Sequence, residues 1–211
     1  MKIERIVSSL LDSNMYIIEE DGHTIIFDPC NKDVNISTKK TDYIILTHEH
    51  YDHISGVNKY KEITDALVIC CFECAENIVD PKKNMSHYFE SFWDIQTWTD
   101  KVFTEKVEDY SCTADVTFGQ EYSLCWQGHN IYFRHTPGHS AGSSCVVVDD
   151  KIMFSGDSLI KGYKPSLRFP GGSRKRWNEE TVPFLRKIKR DILVYPGHFD
   201  SFYLSEYEWS E

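Results

Sequence analysis

The sequence lacks any long apolar run. Nowhere do about 20 consecutive apolar residues follow one another, which is the length needed to cross a bilayer. Met1 to Arg5 also lack the apolar region that begins a secretory signal. We therefore expect a soluble, cytoplasmic protein with no membrane partner.

Basic side chains are in the minority. The chain has 23 Lys and Arg against 33 Asp and Glu, for a net charge of −10 at pH 7. Such a charge repels a phosphate backbone unless a local basic surface overcomes it. We expect no nucleic-acid partner, and a nuclease is the minority interpretation. Nothing in the sequence bears on the oligomeric state.

The cysteines lack the pattern of a disulfide framework. They are seven, an odd number, and most stand inside apolar runs, which is typical of reduced, packed thiols. Cys70, Cys71 and Cys74 lie close together, but no second Cys or His pair follows at the spacing of a zinc finger. We interpret this cluster as a strand end and a helix start rather than as a metal site.

Four potential metal ligands occupy six consecutive residues. They follow the short, β-branched run Asp42 to Leu46, which predicts a buried strand, and they are His48, His50, Asp52 and His53. Ligands of open α/β sheets bind at the carboxyl ends of strands. On an extended loop, His48 and His50 can direct both imidazoles at one cation, at roughly 2.0–2.1 Å. Asp52 and His53 enter a helix and point elsewhere, which predicts two adjacent pockets.

The other end of the chain repeats this layout. Residues 191–198 contain an acidic residue, an apolar strand and then His198, as residues 42–48 contain Asp42, a strand and His48. Two similar halves would bring both histidines to one edge.

The remaining pattern alternates strands with helices. Strands are predicted at 2–7, 15–19, 24–27, 67–71, 122–126, 131–135, 145–148 and 151–154, and helices at 54–60, 73–79 and 179–190, the last with Asn178 as its N-cap. This alternation indicates a layered α/β fold. A length of 211 residues fits one domain, 1–211.

The other histidines divide by context. His23 and His129 are predicted in hairpin turns, and His87 has no partner at ligand spacing, so a surface or packing role is expected. His135 lies on a strand and is interpreted as structural. His139 follows a Pro-Gly turn that can expose its side chain, and is the candidate ligand.

Two aspartates follow apolar strands. Asp157 comes after a glycine, where a carboxylate can bridge two cations, although a turn aspartate has the same pattern. Asp28 ends the third strand and either accepts a hydrogen bond from a ligand histidine or caps a loop.

Two further segments have an unusual composition. Residues 82–109 are rich in aromatic side chains and predict either a pocket wall or core packing; they include Tyr88, Phe89, Phe92, Trp93, Trp98 and Phe103. Residues 161–176 contain six basic and no acidic residues. This loop either holds an anionic group of a substrate or is simply solvated.

In chain order, four motifs resemble the metallo-β-lactamase superfamily. They are His48-Glu49-His50-Tyr51-Asp52-His53, Thr136-Pro137-Gly138-His139, Ser155-Gly156-Asp157 and Pro196-Gly197-His198. Among its subgroups the glyoxalase II-like hydrolases are the most similar. The resemblance covers essentially the whole chain and implies a four-layered αβ/βα sandwich with the metal site at one edge, between two β-sheets.

The resemblance also implies the ligands. His48, His50 and His139 would bind a first metal, Asp52, His53 and His198 a second, and Asp157 would bridge them. The expected metal is zinc, two ions per chain, with iron or manganese as alternatives. A hydroxide shared by the cations would attack an acyl carbon, and Asp52 would orient this nucleophile as a catalytic residue.

Three functions are compatible with these motifs. The first is a dinuclear hydrolase of a small thioester, ester or lactone, with an anionic group as a possible feature of the substrate. The second is a sulfur (persulfide) dioxygenase with a single iron held by His48, His139 and Asp157, and the third is a non-catalytic metal-binding module. Phe199 and Cys30 stand where the glyoxalase II-like subgroup commonly has glycine, which argues against a glutathione thioester.

Overall fold

The computed structural model describes residues 1–30, 34, 36, 40–91 and 106–209. Of the aromatic segment, Tyr88 and Phe89 belong to these ranges, whereas Phe92, Trp93, Trp98 and Phe103 lie outside the described residues.

The strands of the described residues form two mixed sheets of six. The first sheet has the order β1-β2-β3-β4-β5-β6, with β1 Lys2–Val7, β2 Asn14–Glu20, β3 His23–Phe27, β4 Lys40–Ile45, β5 Leu67–Cys71 and β6 Val116–Phe118. The second has the order β12-β11-β10-β9-β8-β7, with β7 Glu121–Trp126, β8 His129–His135, β9 Ser144–Val148, β10 Ile152–Gly156, β11 Leu193–Pro196 and β12 Phe202–Tyr203.

The helices that lie wholly within the described residues are short. They are α1 Tyr51–Ile54, α2 Val57–Ile63, α3 Phe72–Asn77, α4 Arg174–Arg176 and α5 Val182–Leu185, with a π-helical turn at Trp177–Thr181 and 3-10 turns at Ser86–Tyr88 and Leu204–Glu206. Within the described ranges, none of them has both the length and the apolar character that a membrane span requires.

Side-chain alternation along the strands builds the layers. In β9, Val146 faces the core between the sheets, where Phe27 and Phe154 stack with ring centroids 3.8 Å apart. The next residue, Val147, faces the other side and packs with Trp177 of the helical segment between β10 and β11. Residues of α1 and α2 join the core on the side of the first sheet, namely Ile54, Val57 and Tyr60. The predicted four-layered αβ/βα sandwich is confirmed.

Two backbone hydrogen bonds join the sheets at one edge. Ser144 N of β9 donates to Thr47 O, just after β4, at 2.7 Å, and Asn14 N of β2 donates to Gly197 O, just after β11, at 2.7 Å. The strands β3, β4 and β5 are parallel, as are β10 and β11. Their carboxyl ends therefore meet where the sheets are tied together.

The helix predicted at 54–60 is wrong as a single element. The structure has α1 and α2 instead, separated at Ser55 and Gly56. Gly56 N donates to Pro29 O at 2.6 Å, and a Cβ on Gly56 would lie 2.5 Å from that oxygen. This close approach of two backbones interrupts the helix and requires glycine.

The helix predicted at 179–190 is also misplaced. Helical turns begin at Arg174, because Ser173 Oγ accepts a hydrogen bond from Arg176 N at 3.2 Å and caps the first turn. Asn178 lies inside the π-helical turn. The last helix ends at Leu185, and the chain turns away through a bond from Ile188 N to Leu185 O at 3.3 Å.

The hairpin turns are tighter than predicted. Asp21 and Gly22 have φ of 50° and 82°, and Gln127 and Gly128 have 47° and 80°, so two residues close each hairpin. The assignment of His23 and His129 to turns is therefore wrong, because each histidine begins a strand. Their Nδ1 atoms lie near carboxylates, at 2.7 Å from Asp42 Oδ2 and 2.6 Å from Asp149 Oδ2 respectively.

Candidate metal centre

The first ligand motif begins at the end of β4, as its sequence indicates. His48 and His50 lie in the loop, whereas Asp52 and His53 lie in α1, and all four are buried. Asp28 fixes the start of the loop by accepting hydrogen bonds from Thr47 N at 2.7 Å and Thr47 Oγ1 at 2.6 Å. Its Oδ2 also lies 3.5 Å from His53 Nδ1. Asp28 therefore caps the loop and lies beside a candidate ligand as well.

Three histidines form the first cluster. One ring nitrogen each of His48, His50 and His139 lies within 4.8 Å of the other two. His139 Nε2 is 3.0 Å from His50 Nδ1, although the residues are 89 positions apart. Gly138 has φ of 152° in the turn before His139, and a Cβ on it would lie 2.8 Å from the Trp177 side chain. The turn that presents His139 therefore needs glycine for both its conformation and its packing.

A second cluster lies beside the first. It contains Asp52, His53 and His198, again with one potential ligand atom from each within 4.8 Å of the others. Asp157 lies between the clusters: its carboxylate oxygens are 3.5 Å from His53 Nε2, 3.5 Å from His139 Nε2 and 3.4 Å from His198 Nε2. The structure thus brings all seven predicted site residues to one edge.

Backbone carbonyls orient two of the imidazoles. His139 Nδ1 donates to Ser166 O at 3.0 Å, and His198 Nδ1 donates to Leu11 O at 3.1 Å. With the proton on Nδ1, the Nε2 lone pair of a neutral ring faces the cluster. A fixed tautomer of this kind is the usual arrangement of metal-binding histidines.

Several polar atoms of the clusters are buried without a hydrogen bond. Over the described part of the chain, they include Nε2 of His48, Nε2 of His50, both ring nitrogens of His53 and Oδ1 of Asp157. Buried polar atoms are nearly always paired, so five such atoms in one place need a common partner. Imidazole nitrogens and carboxylate oxygens are the ligands that zinc and similar divalent cations take. The residues present therefore fit a pair of cations.

The protonation states of the first cluster and of Asp157 agree with this fit, whereas Asp52 and Asp157 oppose burial in the second cluster and raise the pKa of His53 and His198. Burial lowers the pKa of His50 to about 3, and burial likewise lowers the pKa of His48 and His139. These rings are neutral at pH 7, which is the form that coordinates a metal. Burial alone would raise the pKa of Asp157, but nearby His198 and His53 hold it well below its usual value, so the carboxylate is anionic.

Glu49 is a functional neighbour that sequence reasoning missed. Its buried carboxylate accepts hydrogen bonds from Asn77 Nδ2 at 2.8 Å, Ser140 Oγ at 2.7 Å and Gly142 N at 3.3 Å. It thereby ties the loop of His48 and His50 to the loop that follows His139. Its place between two histidines was the only available signal, and that place does not reveal the direction of the side chain.

An aromatic cleft opens beside Asp157. The rings of Tyr163 and Phe199 stack in parallel with centroids 4.9 Å apart, and Phe169 and Lys164 also line the cleft. Phe199 has a left-handed φ of 63°. Among the six basic residues of the loop 161–176, it is Lys164 that lines the cleft.

The structure also bears on the basic loop, residues 161–176, and on the aromatic segment, residues 82–109. Lys161 of the basic loop pairs with Glu206, and Arg176 pairs with Glu180, so these two charges are engaged away from the cleft. In the aromatic segment, Phe89 is buried against Tyr51 and also lines a pocket next to His50. Core packing and a pocket wall are thus both correct for Phe89.

The site and fold agree with comparisons to known proteins. A family model described as metallo-beta-lactamase superfamily matches residues 9–198. The chain belongs to this superfamily. The resemblance stated from the four motifs is therefore confirmed.

Several known proteins are similar to this chain over most of its length. A probable metallo-hydrolase of Bacillus subtilis, YqgX, is 27% identical over 205 residues, covering 94% of this chain and 87% of that protein. A hydroxyacylglutathione hydrolase of Francisella philomiragia is 25% identical over 207 residues, covering 94% of this chain and 68% of that protein. The crystal structure of BLEG-1 B3 metallo-β-lactamase superposes with a TM-score of 0.77 at 21% identity, covering 97% of this chain and 95% of that one. This last likeness concerns the fold.

Proposed function

We propose that this protein, taken as one domain over residues 1–211, is a dinuclear metal-dependent hydrolase of a small acyl substrate. The observation that carries the proposal is the pair of adjacent ligand clusters with Asp157 between them. Zinc is the metal that we propose, since imidazole and carboxylate ligands in a buried site suit it. The similarity to a hydroxyacylglutathione hydrolase and a probable metallo-hydrolase supports hydrolysis.

Each cluster supplies three ligands in this proposal. His48, His50 and His139 hold one cation, and the second is held by a further set, Asp52, His53 and His198. Asp157 has an oxygen near a histidine of each set and contributes to both. When bound, the cations supply an activated water, whose pKa falls from about 16 to about 7, and polarise the acyl carbonyl.

The chain itself orients the reacting groups. Ser13 Oγ donates to Asp52 Oδ2 at 2.6 Å, which fixes the carboxylate of Asp52 toward the cluster. Burial would raise the pKa of Asp52, but His53 and His198 hold it below its usual value. Asp52 is therefore an anionic acceptor, and we assign it the role of accepting a hydrogen bond from the attacking water and directing that water at the acyl carbon.

The cleft indicates the kind of acyl group. Its wall of Tyr163, Phe169 and Phe199 favours an apolar portion of the substrate, and Lys164 provides a cation for an anionic group. A small thioester, ester or lactone with both features is the substrate class that we propose.

The test combines metal content with activity. Protein purified without added metal should contain at least two zinc ions per chain and hydrolyse members of a thioester, ester and lactone panel. His50→Ala should lose metal and lower activity by more than about 100-fold, because it removes a ligand rather than a neighbour of one. The matched control is His87→Ala, an exposed histidine paired with Asp109, which should retain both. Metal-loaded protein that is inactive on the whole panel would refute hydrolysis.

The persulfide dioxygenase alternative makes a different prediction in the same experiment. It needs one iron, held by His48, His139 and Asp157, and it predicts oxygen uptake with persulfides. The second cluster, Asp52, His53 and His198, has no role in that reaction, which is why we favour the hydrolase. A non-catalytic metal module predicts a closed coordination shell, whereas here the cleft reaches His139, Asp157 and His198.

A further inference from the structure

A third group of metal-binding side chains lies apart from the two clusters described above. It contains Cys71, Glu73 and His135, and one potential ligand atom of each lies within 4.8 Å of the others. Cys71 ends β5 in the first sheet, Glu73 belongs to α3, and His135 ends β8 in the second sheet. The group therefore spans the junction of the two sheets and shares no residue with the candidate catalytic centre.

The imidazole of His135 is arranged as a metal ligand. It is 2% exposed, and Nε2 donates to Ala141 O at 2.8 Å, which places the proton of a neutral ring on that nitrogen. The other nitrogen, Nδ1, is buried, and within the described residues it has no hydrogen-bond partner. Its lone pair faces the group, with Glu73 Oε1 at 3.9 Å. A structural role in packing explains the bond to Ala141 but leaves Nδ1 unexplained.

The thiol of Cys71 is held by Gly142, the residue that follows Ala141. Cys71 Sγ donates to Gly142 O at 3.2 Å, so consecutive carbonyls, those of Ala141 and Gly142, hold the imidazole and the thiol. Burial raises the pKa of Cys71 to about 12, so the thiol keeps its proton until a cation displaces it.

Glu73 gives the group an opening to solvent. Its side chain is 35% exposed, whereas Cys71 is fully buried, so a cation would enter on the side of Glu73. Arg176 Nη2 lies 3.9 Å from Glu73 Oε1, but its closer partner is Glu180, with Nε at 2.8 Å from Oε1 and Nη2 at 3.2 Å from Oε2. Glu180 thus compensates the charge of Arg176, and the Glu73 carboxylate is available to a cation.

We propose that Cys71, Glu73 and His135 bind one divalent cation of the zinc class, distinct from the cations of the catalytic centre. Thiolate, imidazole and carboxylate together select zinc over magnesium or calcium, which take oxygen ligands. A water molecule on the exposed side would complete four-coordination. The bound cation clamps the end of β5 to the end of β8 and so steadies the loop that carries His139.

Cobalt titration of the metal-free protein tests this site separately from the catalytic one. The catalytic clusters contain only nitrogen and oxygen ligands, so a thiolate-to-cobalt charge-transfer band arises from a thiol site and not from the catalytic centre. The wild-type protein should develop this band, and Cys71→Ser should lose it. Glu73→Gln, a change at a partly exposed position, should weaken cobalt binding by about tenfold or more.

Two control variants address two of the six other thiols. Cys125→Ser changes an exposed cysteine, and Cys30→Ser changes a buried cysteine whose pKa is raised by burial and by the nearby carboxylates of Asp28 and Asp52. Both should keep the band. A band that persists in Cys71→Ser, or one that disappears in Cys30→Ser alone, would assign the thiolate elsewhere and overturn the proposal.

A measurement on unaltered protein guards against a Cys71 variant that fails to fold. X-ray absorption at the zinc edge of the wild-type protein should show a sulfur neighbour at about 2.3 Å. Its amplitude should correspond to one sulfur per chain, averaged over all zinc ions bound. Zinc-loaded protein with nitrogen and oxygen neighbours only would refute the site. Because hydrolysis is not a readout here, failure of the proposed hydrolase activity and failure of this site are distinguishable.

Discussion

Gly197 and Asp157 approach each other so closely that no side chain fits between them. A Cβ on Gly197 would lie 2.1 Å from Asp157 Oδ1 and 2.9 Å from His53 Cε1. The backbone also ties them, through a bond from Gly197 N to Gly156 O at 2.9 Å. Glycine at 197 therefore determines where the carboxylate between the two ligand clusters can lie.

We predict that Gly197→Ala displaces Asp157 and weakens metal binding. The added methyl must move the carboxylate or the backbone, so metal affinity and activity should fall by about 10- to 100-fold, the range found when the neighbours of metal ligands change. Equilibrium dialysis with zinc measures the affinity. Gly119→Ala is the matched control, because its Cβ would lie 3.7 Å from Phe72 Cε2, an ordinary contact. Unchanged affinity in Gly197→Ala would show that Asp157 has room to stay in place.

Phe199 has a strained backbone conformation and places its ring in the cleft. Its left-handed φ of 63° is held by Arg5 Nη1 and Asn14 Nδ2, which donate to Phe199 O at 2.6 and 2.7 Å. Phe199→Gly should raise the free energy of unfolding by about 1 kcal/mol, because glycine adopts this conformation without strain and the ring is 40% exposed. The same change should raise KM for apolar acyl substrates, since Tyr163 loses its stacking partner.

Urea unfolding and substrate kinetics separate these two effects. Tyr163→Ala removes the other ring without altering the strained backbone, so it should raise KM and leave the strain in place. Phe72→Gly changes an exposed phenylalanine at the start of α3 and should destabilise the protein by up to about 1 kcal/mol. A destabilised Phe199→Gly protein would contradict the strain argument.

The ligands were predictable because local pattern and chemistry agree at those positions. The run from Asp42 to Leu46 is a strand by composition, and the position of His48 just beyond it follows directly. The same reasoning placed His198 after β11. Sheet edges gather the ends of parallel strands, so residues distant in sequence could be expected together.

The features that could not be predicted from the sequence depend on contacts between distant segments. The division of α1 from α2 follows from Pro29 O meeting Gly56 N, which no local propensity contains. The three-residue strand β6 is recognisable only through its parallel pairing with β5. Similarly, Cys71 and His135 each suit a packed strand end, and only the folded chain places them side by side.

Glu49 should be sensitive to the replacement of its carboxyl group by an amide. Its carboxylate accepts from Asn77, Ser140 and Gly142, and the amide nitrogen of a glutamine would face at least one of these donors. Glu49→Gln should lower the free energy of unfolding by about 2 kcal/mol and zinc affinity by about tenfold, because the loop after His139 loses its anchor.

Thermal unfolding and zinc titration measure both effects of this change. Glu76→Gln, an exposed position on the same helix as Asn77, is the control and should alter stability by less than about 0.5 kcal/mol. A Glu49→Gln protein as stable as this control would mean that the buried carboxylate is protonated and already donates a hydrogen bond.

Asp42 joins the two sheets through a hydrogen bond from Trp126. Trp126 Nε1 of β7 donates to Asp42 Oδ2 of β4 at 2.8 Å, and His23 Nδ1 lies 2.7 Å from the same oxygen. Asp42→Asn should lower the free energy of unfolding by about 2 kcal/mol at neutral pH. Asp65→Asn, at an exposed position, should change it by less than about 0.5 kcal/mol.

The contribution of Asp42 to the free energy of unfolding should disappear as the pH is lowered. Burial raises the pKa of Asp42, but the hydrogen bonds from Trp126 and His23 outweigh burial and lower it below its usual value. A carboxyl group whose pKa is lower in the folded chain stabilises the fold above its unfolded pKa of about 3.9, and loses this contribution as the pH falls through the folded value. The free energies of unfolding of the wild-type protein and Asp42→Asn, measured in urea, should therefore differ most near neutrality and converge as the pH falls below the lowered pKa of Asp42. A difference that stays constant over this range would mean that the aspartate acts through its shape and not its charge.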